Sequence, residues 1–112
     1  LIEQWLNKME NLTPGKFKSK IKTGSTVVEF WAEWCRPCKQ MSKVFDELEK
    51  KFAKKVKFGR VNVDTHSKLA SEQVIVSIPT FILYKSGKEV ERLVGIVPKE
   101  VLENEITERI KK

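Results

Sequence analysis

The sequence predicts an α/β fold in which helices cover both faces of a single mixed β-sheet. A strand pattern, a long amphipathic helix pattern and a second strand pattern follow one another near the middle of the chain. Two strands joined in this way lie parallel, with a right-handed crossover through the helix. A hairpin signal closer to the C-terminus adds antiparallel strands, and one more helix pattern follows it.

Length and composition indicate one globular domain. The chain has 112 residues, of which 40% are apolar and 33% are charged, and these values are ordinary for a folded domain. We therefore expect residues 1–112 to form a single domain. We expect no membrane span, because no apolar run approaches the roughly 18 residues that such a helix needs. The N-terminus shows no apolar secretory segment or cleavage site, which favours a cytoplasmic location.

The excess of positive charge does not by itself indicate a nucleic-acid partner. Lysine and arginine number 22 against 15 acidic residues, for a net charge of +7. The basic residues are scattered or mixed with acidic ones, and no segment alternates arginine with aromatic residues as a base-stacking surface does. We therefore expect solvated charged faces and no nucleic acid.

The first third of the chain predicts two helices and a buried strand. Apolar residues at helical spacing predict an N-terminal helical extension over residues 1–11. Thr13 followed by Pro14 is typical of a cap and a first-turn proline, so a second helix is expected to begin there. The segment 26–32 is β-branched and aromatic, and apart from Glu29 it is apolar on both faces, which predicts a buried strand.

The rest of the chain predicts the long helix, three more strands, a short helix and a last helix. Apolar residues three or four apart predict the long helix from Pro37 to about Lys54. The remaining elements are a strand over 56–63, a short helix over 67–72, hairpin strands over 80–84 and 89–94, and a last helix that Pro98 begins.

The two cysteines, Cys35 and Cys38, lie between the buried strand and the start of the long helix. Only a thiolate attacks a disulfide, and the free N–H groups and dipole at a helix N-terminus lower the pKa of a cysteine placed there. Cys35 is thus suited to attack, and Cys38, one turn into the helix, is suited to resolve the mixed disulfide. A cysteine pair within a β-α-β unit favours redox chemistry.

Three other interpretations of the pair are weaker. A zinc site needs four ligands, and His66 is the only histidine, so we expect no metal. Inert buried thiols are disfavoured, because Cys35 lies at a turn beside Arg36 and outside a periodic apolar stripe. A permanent structural disulfide would close so short a loop that it would constrain the unfolded chain little.

Five segments carry a resemblance to a known family, and they lie at the separations that the family shows. They are Phe30-Trp31-Ala32-Glu33-Trp34-Cys35-Arg36-Pro37-Cys38-Lys39, Val61-Asn62-Val63-Asp64, Ile78-Pro79-Thr80, Lys85-Ser86-Gly87 and Val94-Gly95. The first closely resembles F-W-A-x-W-C-G-P-C-K, the active-site stretch of the thioredoxin family. The resemblance spans roughly residues 25–110 and implies a thioredoxin fold.

The resemblance also implies the residues of the site. Cys35 matches the family's nucleophile, Cys38 its resolving thiol, and Pro79 its cis-proline, which lies against the cysteine pair. Ile78 would offer its backbone to an extended substrate strand. The residues that match or adjoin the family's substrate groove are Trp34, Arg36, Pro37, Ile78, Val94, Gly95 and Ile96.

Glu29 and Arg60 match the family's buried acid and its basic partner, which are usually Asp and Lys. A charge within a strand that is apolar on both faces is costly unless it is paired or functional. The resemblance implies that Glu29 relays protons to Cys38. The alternative is a purely structural ion pair between Glu29 and Arg60.

Two further positions depart from the family's pattern. Arg36 stands where the family usually has glycine, and Lys43 stands where many members have proline. A guanidinium beside Cys35 favours its thiolate, and a stabilised thiolate makes the disulfide a better oxidant. The alternative is that Arg36 meets acidic partners and leaves the potential unchanged.

The function that the resemblance implies is a dithiol–disulfide oxidoreductase that reduces protein disulfides. No cofactor is implied, and the expected partners are a thioredoxin reductase and disulfide-containing client proteins. We expect a monomer. Two alternatives stay open: a disulfide isomerase or oxidase that uses the same cysteines, and a non-catalytic adaptor of the same fold.

Overall fold

The computed structural model describes residues 10–110, which form a five-stranded sheet with helices on both faces. The spatial order of the strands is β1-β3-β2-β4-β5. The elements in chain order are β1 (Glu10–Asn11), α1 (Pro14–Ile21), β2 (Ser25–Trp31), α2 (Arg36–Phe52), β3 (Lys57–Asn62), α3 (Ser67–Glu72), β4 (Thr80–Lys85), β5 (Lys88–Val94) and α4 (Lys99–Ile110).

The sheet is mixed, as the sequence predicts. β2 and β3 are parallel and α2 connects them, while β4 runs antiparallel to β2, and β5 antiparallel to β4. Thr13 caps α1 by accepting a hydrogen bond from the Lys16 backbone N–H, and Pro14 is the first residue of that helix. These strand directions and the connecting helix confirm the predicted α/β architecture.

Among the described residues, none of the helices is long and apolar enough to span a bilayer.

The N-terminal segment differs from its prediction where it can be compared. Glu10 and Asn11, the end of the predicted helical extension, form strand β1 instead, paired with Gly59 and Arg60 of β3. Residues 1–9 of that extension lie outside the described residues. An open sheet edge offers unpaired N–H and C=O groups that an extended segment satisfies. The Leu12 backbone N–H continues this pairing by donating to the Arg60 carbonyl at 2.7 Å.

The strand β2 is buried on both faces, so its successive side chains enter two different cores. Val27 packs in the core beneath α2 and α4, and Val28 packs in the core beneath α1 and α3. Because side chains alternate along a strand, Glu29 lies on the same side as Val27, facing α2. The fold thus places one carboxylate against the helix that begins at the cysteine pair.

The β4–β5 hairpin closes as the sequence indicates. Its loop is the two residues Ser86 and Gly87, which have φ angles of 51° and 85°. Positive φ at both loop positions is the geometry of a type I′ turn, whose twist suits two antiparallel strands. The opposite end of this hairpin, where Thr80 pairs with Val94, lies beside the cysteine pair's loop.

Val74 has a backbone conformation that valine disfavours. It follows the end of α3 with a φ of 55°, in the left-handed region that is costly for a β-branched residue. Arg92 donates to the carbonyl oxygens of Val74 and Gln73, each at 2.8 Å. The Val74 side chain is 64% exposed, so packing contributes little at this position. These two hydrogen bonds from Arg92 therefore hold a strained residue in the loop before Pro79.

We predict that Val74→Asn stabilises the protein by about 1 kcal/mol, because asparagine adopts the left-handed conformation at lower cost. The matched control is Val76→Asn, at a valine that is 90% exposed and has no positive φ. Urea denaturation of both variants measures the free energy of unfolding. A loss of stability in Val74→Asn, or an equal gain in both variants, would contradict the strain.

Candidate active site

The cysteine pair lies where the chain turns from β2 into α2. Cys35 is the N-cap residue of α2, and Cys38 lies in its first turn. The two are joined in a disulfide, with their Cα atoms 5.3 Å apart. Cys38 is fully buried, whereas Cys35 keeps an exposed edge of 3%. Cys35 also lines the cavity at this surface and Cys38 does not, so Cys35 is the cysteine that a partner reaches.

The start of α2 provides a hydrogen-bond donor to the Cys35 sulfur. The Cys38 backbone N–H donates to Cys35 Sγ over 3.2 Å. The first turn of α2 contains no acidic residue, so no carboxylate there offsets the positive end of the helix dipole. In the reduced protein, this environment favours a thiolate at Cys35 over one at Cys38.

The loop before β4 brings Ile78, the residue before a cis-proline, next to the disulfide. The Ile78–Pro79 peptide bond is cis, and the Ile78 carbonyl oxygen lies 3.9 Å from Cys35 Sγ. The Gly95 backbone N–H donates to the Pro79 carbonyl at 2.8 Å. Gly95 has a φ of 85°, which glycine adopts without steric cost. Two loops that are distant in sequence thus meet beside the cysteine pair.

A buried ion pair lies between the sheet and α2. Glu29 is completely buried, and Arg60, its neighbour across the β2–β3 pairing, donates from Nε to Glu29 Oε1 at 2.8 Å. Arg60 also donates through a terminal nitrogen to Asp46 Oδ1 at 3.1 Å. One guanidinium therefore serves two carboxylates, of which Asp46 is the partly exposed one.

The pKa of Glu29 lies above its ordinary value of 4.5. Burial raises it most, because the charged form loses its hydration, while the hydrogen bond and the charge of Arg60 act in the opposite direction. The negative charge of Asp46 adds a smaller upward effect. A carboxyl group with a raised pKa holds its proton more readily and is a stronger base when ionised.

Ser42 connects Glu29 with the cysteine helix, and the sequence analysis does not single it out. Its hydroxyl oxygen lies 2.9 Å from the Cys38 carbonyl oxygen and 3.4 Å from Glu29 Oε2. A hydroxyl has one hydrogen, so it donates to the Cys38 carbonyl or to an ionised Glu29, and it accepts from a protonated Glu29. Ser42 can thus contact Glu29 in both charge states. A serine four residues after Cys38 gives no signal until α2 is placed over β2.

Four predicted groove residues line a cavity of about 520 Å³ at the disulfide. They are Trp34, Arg36, Pro37 and Ile78. The same cavity is lined by residues that the sequence analysis does not assign to the groove, among them Val76, which is 90% exposed. Its nearness to Pro79 in sequence is the only signal that could have indicated it. The other unassigned residues that line this cavity are Val63, Ile75 and Ser77.

The remaining predicted groove residues lie elsewhere around the disulfide. Val94 is exposed at the end of β5, and Gly95 contacts Pro79 as described above. Ile96, which is 60% exposed, lines a second cleft on the α2 side. Arg36 lines both concave surfaces. Five of the predicted groove residues therefore line two separate concave surfaces that share Arg36, while Val94 and Gly95 line neither.

Trp34 presents a large exposed apolar surface next to Cys35. It is 70% exposed, and its indole N–H donates to Asp64 Oδ2 at 2.7 Å. This hydrogen bond fixes the orientation of a side chain that would otherwise turn freely in solvent. Within residues 10–110, no group of three or more His, Cys, Asp or Glu side chains is placed to hold a metal ion.

Comparison with known proteins identifies the family. The thioredoxin family model matches residues 8–108. A thioredoxin from Chlamydia caviae is 45% identical over 86 residues, which cover 77% of this chain and 83% of that protein. A thioredoxin from Alicyclobacillus acidocaldarius is 41% identical over 98 residues, covering 87% of this chain and 93% of the relative.

Solved structures agree with the sequence comparison. The crystal structure of a Malassezia sympodialis thioredoxin superposes with a TM-score of 0.83 at 32% identity, covering 91% of this chain and 90% of the other. Oxidised mitochondrial thioredoxin 3 of Saccharomyces cerevisiae superposes with a TM-score of 0.82 at 30% identity, covering 89% and 94%. With its cysteine pair at disulfide distance, the protein is a thiol–disulfide oxidoreductase. The chain belongs to the thioredoxin family.

Proposed function

We propose that the protein reduces disulfides of client proteins, with Cys35 as the attacking thiol and Cys38 as the resolving thiol. The observation that carries this assignment is the Cys38 backbone N–H, 3.2 Å from the sulfur of the more exposed cysteine. The Cys35 thiolate attacks one client sulfur, so that the client disulfide breaks and its other sulfur leaves as a thiolate.

The second step releases the client. The Cys38 sulfur, once deprotonated, attacks the Cys35 sulfur of the mixed disulfide, and the remaining client sulfur leaves. The client gains two electrons and takes up two protons, while Cys35 and Cys38 return to the disulfide. Ile78 and Pro79 contribute the backbone that an extended client segment would lie against, since the Ile78 carbonyl oxygen is 3.9 Å from Cys35 Sγ.

Glu29 is the group to which we assign proton transfer with Cys38. Its raised pKa suits a carboxyl group that accepts a proton from a thiol and returns it. Ser42 contacts both Glu29 and the Cys38 backbone, which supports proton transfer through water between Glu29 and the Cys38 sulfur. Arg60 is a positioning residue, because its hydrogen bond holds Glu29 Oε1 in place.

A thioredoxin reductase is the partner to which we assign the return to the dithiol. The cycle leaves Cys35 and Cys38 oxidised, so each turnover needs two electrons from outside the chain. A reducing compartment suits such a cycle, and we therefore place the protein in the cytoplasm. Every residue assigned above comes from one chain, so the proposed reaction needs no second copy of the protein, and we propose that it acts as a monomer.

We predict that Cys35 is alkylated before Cys38 when the reduced protein is treated briefly with iodoacetamide at pH 7. The reason is that the N–H donor and the exposed edge both belong to Cys35. Peptide mass mapping measures the labelling of each residue. As a second readout, Cys38→Ser should accumulate a mixed disulfide with a client, and Cys35→Ser should not. Equal labelling, or trapping by Cys35→Ser, would reverse or remove the assigned roles.

We predict that Glu29→Gln slows turnover by about tenfold or more at pH 7, because glutamine cannot accept the Cys38 proton. The alkylation rate of Cys35 should change little, since that thiol is activated by the start of α2. Unchanged turnover would leave Glu29 with a structural role only. The matched control is Asp46→Asn, which removes the other carboxylate of Arg60 and should keep the turnover.

We predict that the free energy of unfolding of Glu29→Gln depends on pH differently from that of the parent protein. Because the folded protein raises the Glu29 pKa, the parent binds more protons folded than unfolded, and it loses stability as pH rises from 4.5 through the raised pKa. The variant should lack that loss, and Arg60 keeps Asp46 as a partner. Urea denaturation between pH 4 and about 8 measures this, and parallel curves for both proteins would contradict the raised pKa.

A further inference from the structure

A second cleft, of about 610 Å³, lies beside the disulfide between α2 and the loop that leads into α4. Its apolar part includes Met41, Val44 and Val97, and Ile96 is exposed at its edge. Arg36 lines both this cleft and the cavity that contains Cys35. A polypeptide segment in the cleft could therefore continue directly to the disulfide. We call this second surface the basic cleft.

The charged side chains of the basic cleft are all positive. Arg36, Lys39 and Lys43 come from α2, and Lys99 comes from the start of α4. Residues three and four positions apart lie on one face of a helix, so the three α2 cations form a row that begins next to Cys35. No acidic residue lines this cleft, whereas the cavity beside α1 combines its lysines with Glu10 and Glu49.

The row of cations is locally unfavourable for the helix that carries it. The positive end of a helix dipole favours acidic residues, yet α2 has none in its first turn and has Arg36 and Lys39 there. Lys39 and Lys43, four residues apart, repel each other. Within residues 10–110, Arg36, Lys39 and Lys43 form no ion pair, and only Lys99 has an acidic partner, Glu47 at 3.0 Å. An anionic group of another molecule would neutralise the positive charges of Arg36, Lys39 and Lys43.

We propose that the basic cleft binds an acidic segment of the client protein, next to the disulfide that Cys35 attacks; this rests on the disulfide-reductase function proposed above. The occupant combines two or three carboxylates with an apolar side chain, because the cleft combines cations with an apolar floor. The net charge of +7 adds long-range attraction for such a client. Arg36 and Lys43, the two cations that depart from the family's pattern, thus serve one surface.

The test uses three synthetic peptides that differ only in charge. Each carries one cysteine in a disulfide with the same fluorescent thiol, a leucine, and three neighbouring positions filled with Glu, Gln or Lys. Pre-reduced protein in single turnover removes the need for a reductase. The Glu peptide should react about tenfold faster than the Gln peptide at low ionic strength, and the Lys peptide slowest. The advantage should fall steeply with added salt.

Two charge-reversal variants locate the effect. Lys43→Glu, in the basic cleft, should lower the Glu-over-Gln preference at least about threefold. Lys88→Glu makes the same charge change at the first residue of β5, at the opposite end of the sheet from Cys35, and should keep most of the preference. An equal loss of the Glu-over-Gln preference in both variants would show that net charge causes it, and would contradict binding at the basic cleft.

The placement of the acidic residues gives an independent test. The basic cleft lies on one side of Cys35, and the cavity with Trp34 and Val76 lies on another. Three Glu residues placed on one side of the peptide's cysteine, before it or after it in sequence, should therefore accelerate the reaction more than three Glu residues placed on the other side. Equal acceleration from both flanks, or equal rates for the Glu, Gln and Lys peptides, would overturn the cleft and leave the reductase function standing. Reduction of none of the peptides would contradict both.

Discussion

The hydrogen bond from the Cys38 backbone N–H to Cys35 Sγ is the contact on which the rest of the site depends. It exists because β2 ends just before Cys35 and α2 begins just after it, so that the sulfur takes the place of an N-cap oxygen. The parallel β2-α2-β3 arrangement fixes that junction at the C-terminal end of the central strand β2. The loop that contains Pro79 leads into β4, and β5 ends beside the start of β4, so both segments lie at the same end of the sheet as the cysteine pair. The fold thus brings distant segments to a single sulfur.

The second constraint is the charge that β2 carries into its core. Burying Glu29 is unfavourable by itself, and Arg60 offsets part of that cost through a short hydrogen bond. The pKa of Glu29 nevertheless stays raised, because desolvation outweighs the pairing. Arg60 also donates to Asp46, and this second hydrogen bond weakens the interaction of Arg60 with Glu29. A carboxyl group balanced in this way can change its protonation without leaving a guanidinium unpaired, and Ser42 can follow either state.

Much of this architecture could be predicted from the sequence, because its signals are local. The apolar spacing of α2, the two-face-apolar pattern of β2 and the turn at Ser86–Gly87 each depend on neighbouring residues. Strand β1 could not be predicted, because Glu10 and Asn11 become a strand only by pairing with an edge that lies far along the chain. Ser42 and the division of the groove into two surfaces depend likewise on how α2 packs over the sheet. Only tertiary placement determines such contacts.

The central claim is that the Cys35–Cys38 pair transfers electrons to protein disulfides. The most direct measurement is the rate at which catalytic amounts of the protein accelerate the reduction of insulin disulfides by dithiothreitol, followed by the turbidity of the released B chain. The account predicts clear acceleration by the parent protein and none by Cys35→Ser at the same concentration. Acceleration that persists in Cys35→Ser, or none by the parent protein, would contradict it.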